Sequence, residues 1–85
     1  MKPSLTPASA AAVVDSIGRG ETIARAAQLA RMSVDSIGRW EARGRRDIAA
    51  GDHASLAARF AVGLAHARAA VANQRAALLV VARCG

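Results

Sequence analysis

From Ser55 to Ala82 the chain contains no helix breaker except Gly63. Within that stretch Ala57, Phe60, Leu64, Ala67, Val71, Gln74, Leu78 and Val81 alternate spacings of three and four. This is the a/d seam of a heptad pattern, and it predicts one long helix with a single apolar face. A chain of 85 residues then has space for only one small domain ahead of that helix. Period-two runs of β-branched and aromatic residues are missing. Much of the 53% apolar share is alanine, the strongest helix former. The expected fold is all-α: a three-helix domain followed by a long Ala-rich helix.

Start and stop signals divide the first part of the chain. Residues 1–5 read as a flexible arm, 6–50 as the three-helix domain and 51–85 as the C-terminal helix with its linker. Thr6-Pro7 opens helix one, with threonine as cap and proline in the first turn. Gly18-Arg19-Gly20 closes it near Ile17. Thr22 caps a short second helix over 23–30. Ser33 caps a third beginning near Val34, with Asp35 in the first turn, where the helix dipole favours an acid. Gly44 either ends that helix early or weakens it. Asp52 or Ser55 caps the long helix.

The segment Ile23–Trp40 carries the pattern of a helix-turn-helix. Ala27 is the small residue needed where the two helices cross. Ala26, Ala30 and Met32 supply apolar residues around the turn, and Ile37 and Trp40 anchor the second helix. The turn position that usually holds glycine, because its φ is positive, is occupied by Arg31 at a cost of about 1 kcal/mol. On a wheel of about 100° per residue, Ile37, Trp40, Gly44 and Ile48 form one face. Arg39, Arg43 and Arg46 lie roughly opposite, as a recognition helix for the major groove requires. Ser33, Asp35, Ser36, Arg39 and Arg43 are the expected contacts to bases and nearby phosphates, with Arg39 and Arg43 suited to guanine. Arg25, Arg45 and Arg46 are expected to hold phosphates. A plain three-helix bundle would show the same apolar pattern, with its arginines merely solvated.

The net charge of +6, with eleven of twelve cations arginine, favours polyanionic partners. A GC-rich coding sequence also enriches arginine, so the distribution of these residues says more than their number. Cys84 is the single cysteine, which excludes an internal disulfide. His53 and His66 have no carboxylate at useful spacing and read as surface residues. No catalytic set, metal-ligand set or cofactor motif emerges, and no enzyme is expected. The N-terminal stretch lacks an apolar run of secretory length and no segment approaches a membrane span, so a cytoplasmic protein is expected.

The order of these features resembles phage terminase small subunits and related phage helix-turn-helix proteins. The matching residues are Gly20, Thr22, Ile23, Ala26 and Ala27; Met32, Ser33, Ile37, Arg39 and Trp40; Arg43, Gly44 and Arg45; and Ser55, Leu56, Ala58 and Phe60. The resemblance covers roughly residues 12–75. It implies a non-enzymatic subunit in a bacterial host that binds packaging-initiation DNA, assembles through its helices and regulates a large terminase subunit. Members of that group usually continue past the point where this chain reads Val81-Ala82-Arg83-Cys84-Gly85, which ranks DNA binding ahead of packaging among these expectations. The seam residues Phe60, Leu64, Ala67, Val71, Gln74, Leu78 and Val81 are the expected oligomerisation surface. Two alternatives stay open: a dimeric helix-turn-helix transcriptional regulator, and a helical adaptor that binds no DNA.

Overall fold

Among the described residues four helices follow one another: α1 (Pro7–Gly18), α2 (Ile23–Ala30), α3 (Val34–Ala49) and α4 (Leu56–Cys84). The structure, a computed structural model, describes residues 5–84, with side chains described as far as Leu78. Each helix opens on a hydroxyl cap. Thr6 and Ser9 form a reciprocal capping box, Ser9 N–H donating to Thr6 Oγ1 at 3.1 Å and Thr6 N–H to Ser9 Oγ at 2.9 Å. Thr22 Oγ1 accepts from Arg25 N–H at 3.2 Å and Ser33 Oγ from Ser36 N–H at 3.0 Å. For α4 the cap is Ser55, whose Oγ accepts from Ala58 N–H at 3.0 Å. Asp52 instead orders the approach, its Oδ1 accepting from Ala54 and Ser55 N–H.

The first three helices end in one way. Beyond each, a residue with positive φ turns the chain: Gly20 at 86°, Arg31 at 56° and Gly51 at 89°. The amide after it reaches back five residues, from Glu21 to Ser16, Met32 to Ala27 and Asp52 to Asp47. The amide of the positive-φ residue bonds three residues back. These are Schellman closures, which satisfy carbonyls that the helix end leaves free.

The core is built on α4. Val13 and Ile17 of α1, Ala26 and Ala27 of α2, Met32 of the turn and Ile37 of α3 are buried with Phe60, Leu64 and Ala67. The principal contacts are α3 on α4, α1 on α4 and α1 on α2. This core therefore spans both sides of Gly51, where the sequence pattern placed a domain boundary. Leu5, assigned by sequence to the arm, is only 6% exposed and belongs to the core. Gly44 does not end α3, which continues to Ala49. A Cβ built there would lie 2.1 Å from the carbonyl oxygen of Ala57 and 2.8 Å from Ala61 Cβ. The glycine is what lets the backbones of α3 and α4 meet.

The seam of α4 is divided. Phe60, Leu64 and Ala67, expected at an interface between copies, are 2%, 0% and 9% exposed because α1, α2 and α3 cover them within one chain. A three-four spacing reports that a helix has one apolar face, not whose side chains cover it. Further along, Val71 is half-buried, Gln74 is exposed and Leu78 is 69% exposed. The side chain of Val81 lies outside the described residues. From Ala72 to Leu78 every side chain is exposed, so α4 runs on past the packed part of the molecule. The radius of gyration, 14.5 Å, accordingly exceeds the ~12 Å expected of a compact chain of this length. No helix among the described residues is long and apolar enough to cross a membrane.

Candidate nucleic-acid interface

The turn between α2 and α3 sets the geometry of the candidate surface. Arg31 adopts φ 56° and ψ 41°, the left-handed conformation that its position in the sequence demanded. The Met32 side chain is 8% exposed and enters the core. Ser33 then returns to extended backbone and caps α3. Its hydroxyl also donates to Ser36 Oγ at 2.8 Å. Both serines, expected to face phosphate or bases, thus hold the first turn of α3 together. Ser33 is exposed and Ser36 half-buried.

α3 presents two unlike faces. Ile37, 1% exposed, and Gly44 face the core, with Trp40 packed against it. Arg39, Arg43 and Arg46 are all exposed on the other side, together with Asp35. Arg39 and Arg46 make no ion pair among the described residues. The guanidinium of Arg43 lies over the Trp40 ring, 5.3 Å from its centroid, within the range of a cation–π contact. That contact limits the arginine's rotamers, and the residue as a whole stays exposed.

Arg45 and Arg25 stand apart from this group. Arg45 Nη2 meets Glu41 Oε2 at 3.2 Å, and Arg68 Nη1 of α4 meets the same oxygen at 2.5 Å. The Glu41 side chain is 15% exposed, against 71% for Arg45 and 46% for Arg68. Glu41 is therefore a strut between α3 and α4 that also holds Arg45. Spacing alone gave no sign of it, because Arg68 is twenty-seven positions away. Arg25 lies on the outer side of α2 with Leu29, its Nη1 at 3.5 Å from Gln28 Oε1. Of the eight residues predicted to meet DNA, three arginines and Asp35 share the outer side of α3, Ser33 caps it with Ser36 bonded to that cap, Arg45 lies on α3 paired with Glu41, and Arg25 lies on α2.

Away from this surface, His53 and His66 are exposed. Among the described residues no group of three or more His, Cys, Asp or Glu could hold a metal ion. Comparison of the chain with protein-family models, curated proteins and solved structures gives no match.

Proposed function

We propose that the protein binds duplex DNA without catalysing a reaction, with α2 and α3 as the two helices of a helix-turn-helix and α3 as its recognition helix. The observation that carries this reading is the exposed arginine group Arg39, Arg43 and Arg46, on the side of α3 opposite its packed face and directly after a left-handed turn. Arg25 and Arg45 extend the cationic surface to either side. Arg45 is free to move to a phosphate because Arg68 continues to neutralise Glu41.

Self-assembly is the second half of the proposal. The outer part of α4, from Val71 through Leu78 towards Val81, extends beyond the core and exposes Leu78. Packing between copies there would array several recognition helices, so that affinity grows by repetition. The resemblance to phage terminase small subunits favours a multi-subunit DNA-packaging component in the cytoplasm of a bacterial host, with a large terminase subunit as its partner.

Native mass spectrometry of the full chain, with and without a mixed-sequence duplex, tests both halves. A ring of about eight or more copies supports the packaging role, and a stable dimer on a palindromic site supports a transcriptional regulator instead. Duplex binding by the wild type should weaken with salt, by about 0.9 log units per log unit of salt for each phosphate contact. Arg39→Ala with Arg46→Ala should lower that slope. An unchanged affinity and slope would leave the arginines as solvated side chains and favour an adaptor.

A further inference from the structure

Two residues on the exposed side of α3 are poor choices for a helix standing alone. Val34, the first residue of the helix, is 46% exposed. Valine is a weak helix former because the helix restricts its χ1, and nearly half of Val34 is open to water. Gly38 lies one turn later, exposed in the helix interior, and a Cβ built there would have nothing within 4 Å. It contrasts with Gly44, whose missing side chain makes way for α4. Glycine at an open helical position costs stability relative to alanine, and no packing within the molecule offsets that cost. Local choices that oppose the fold without a compensating contact are concentrated where a surface serves a partner.

The position of the two residues says which partner. They lie four apart, hence one above the other on the helix surface. They share the N-terminal half of α3 with Asp35 and Arg39, both exposed. The N-terminal residues of a recognition helix are those that reach base edges. The major groove offers one apolar group there, the 5-methyl of thymine. Two stiff valine methyls match it, and a bare backbone one turn on permits close approach.

We propose that Val34 reads a thymine through its 5-methyl group, and that Gly38 keeps the α3 backbone close enough to the groove for that contact. The inference rests on the duplex-binding reading above and adds to it a determinant of base preference. It predicts a site with at least one required thymine, discriminated by shape rather than by hydrogen bonding.

The test starts from duplexes selected by the full chain from a randomised 20-base-pair library. Each enriched thymine is then replaced by deoxyuridine, which keeps the pairing and removes only the methyl. The expected result is that one such replacement weakens wild-type binding about fourfold, the equivalent of one buried methyl group. Val34→Ala should bind the thymine and deoxyuridine duplexes equally while keeping its helical circular dichroism. Gly38→Ala should weaken binding while raising the unfolding temperature, a pairing of effects that a merely tolerated glycine would not give. Equal wild-type affinity for all thymine and deoxyuridine duplexes overturns the proposal and leaves duplex binding intact. So does a Val34→Ala variant that keeps the discrimination, or a Gly38→Ala variant that binds as wild type. Failure to retain any duplex from the library overturns both readings together.

Discussion

The substitution Gly44→Ala isolates the contact on which the placement of α3 depends. The added Cβ would stand 2.1 Å from the Ala57 carbonyl oxygen and 2.7 Å from its carbonyl carbon. A carbon and a carbonyl oxygen ordinarily meet at about 3.3 Å or more, so the helices must part by roughly 1 Å. The obstacle is backbone, and no rotamer change relieves it. Overpacking of this kind costs about 1–3 kcal/mol, and the rigidity of the obstacle favours the upper end. Alanine returns about 0.5–1 kcal/mol through its better helix propensity. The net expectation is a loss of about 2 kcal/mol, or roughly 8–16 °C in Tm for a domain of this size.

Gly38→Ala provides the control in the same helix. Nothing lies within 4 Å of its Cβ position, so only the propensity term acts, and Tm should rise by a few degrees. Thermal unfolding followed by circular dichroism at 222 nm measures both, at one protein concentration so that assembly does not shift the comparison. The same chemical change six residues apart should move Tm in opposite directions. A Gly44→Ala protein as stable as the wild type would refute the α3–α4 crossing.

Three further outcomes follow from contacts away from that crossing. Glu41→Gln removes the carboxylate shared by Arg45 and Arg68; stability in urea should fall by about 1–2 kcal/mol, and the difference should shrink in high salt. Ser55→Ala removes the acceptor for Ala58 N–H and the donor to Asp47 Oδ2 at 2.7 Å; the expected loss is about 1–2 kcal/mol, and no loss by chemical denaturation would show that α4 needs no cap. Arg31→Gly relieves a left-handed arginine, worth about 1–2 kcal/mol, against an entropic cost of about 0.5–1 kcal/mol; a Tm below that of the wild type would contradict the strain assigned to Arg31.

Local features were the legible part of this fold. Thr6, Thr22 and Ser33 mark helix starts because capping depends on a side chain and an amide two or three residues away. Arg31 was identifiable as a left-handed position because the small and apolar residues around it fix where the turn must fall. The arginine group of α3 followed from helical periodicity alone. What could not be read was anything that depends on a partner distant in sequence. Gly44 looks like a helix-weakening residue until Ala57 is placed against it. Glu41 looks like a surface acid until Arg68 reaches it. Leu5 looks like the end of an arm until the core is present to cover it. The inner part of the α4 seam, Phe60, Leu64 and Ala67, is covered within the chain for the same reason, since its period is identical whether α1–α3 or another copy covers it.

That division of the seam changes how the two halves of the proposed function relate. Were α4 a separate assembly helix joined by a free linker at Gly51, recognition helices in an oligomer would be tethered but not oriented. Instead α3 is held to α4 at two levels, by the backbone contact at Gly44 and by the Glu41–Arg68 pair. A single crossing point would allow α3 to swivel; a second attachment to α4 opposes that rotation. The direction in which Arg39, Arg43 and Arg46 face is therefore set by the axis of α4. In the proposed assembly, contacts between outer α4 segments would fix both the spacing and the orientation of neighbouring arginine groups. Repetition raises affinity only when the linked sites can be engaged together. On this argument, weakening the α3–α4 attachment would reduce binding to long duplexes by more than the change in any single site, even though neither Gly44 nor Glu41 touches DNA in the proposed arrangement.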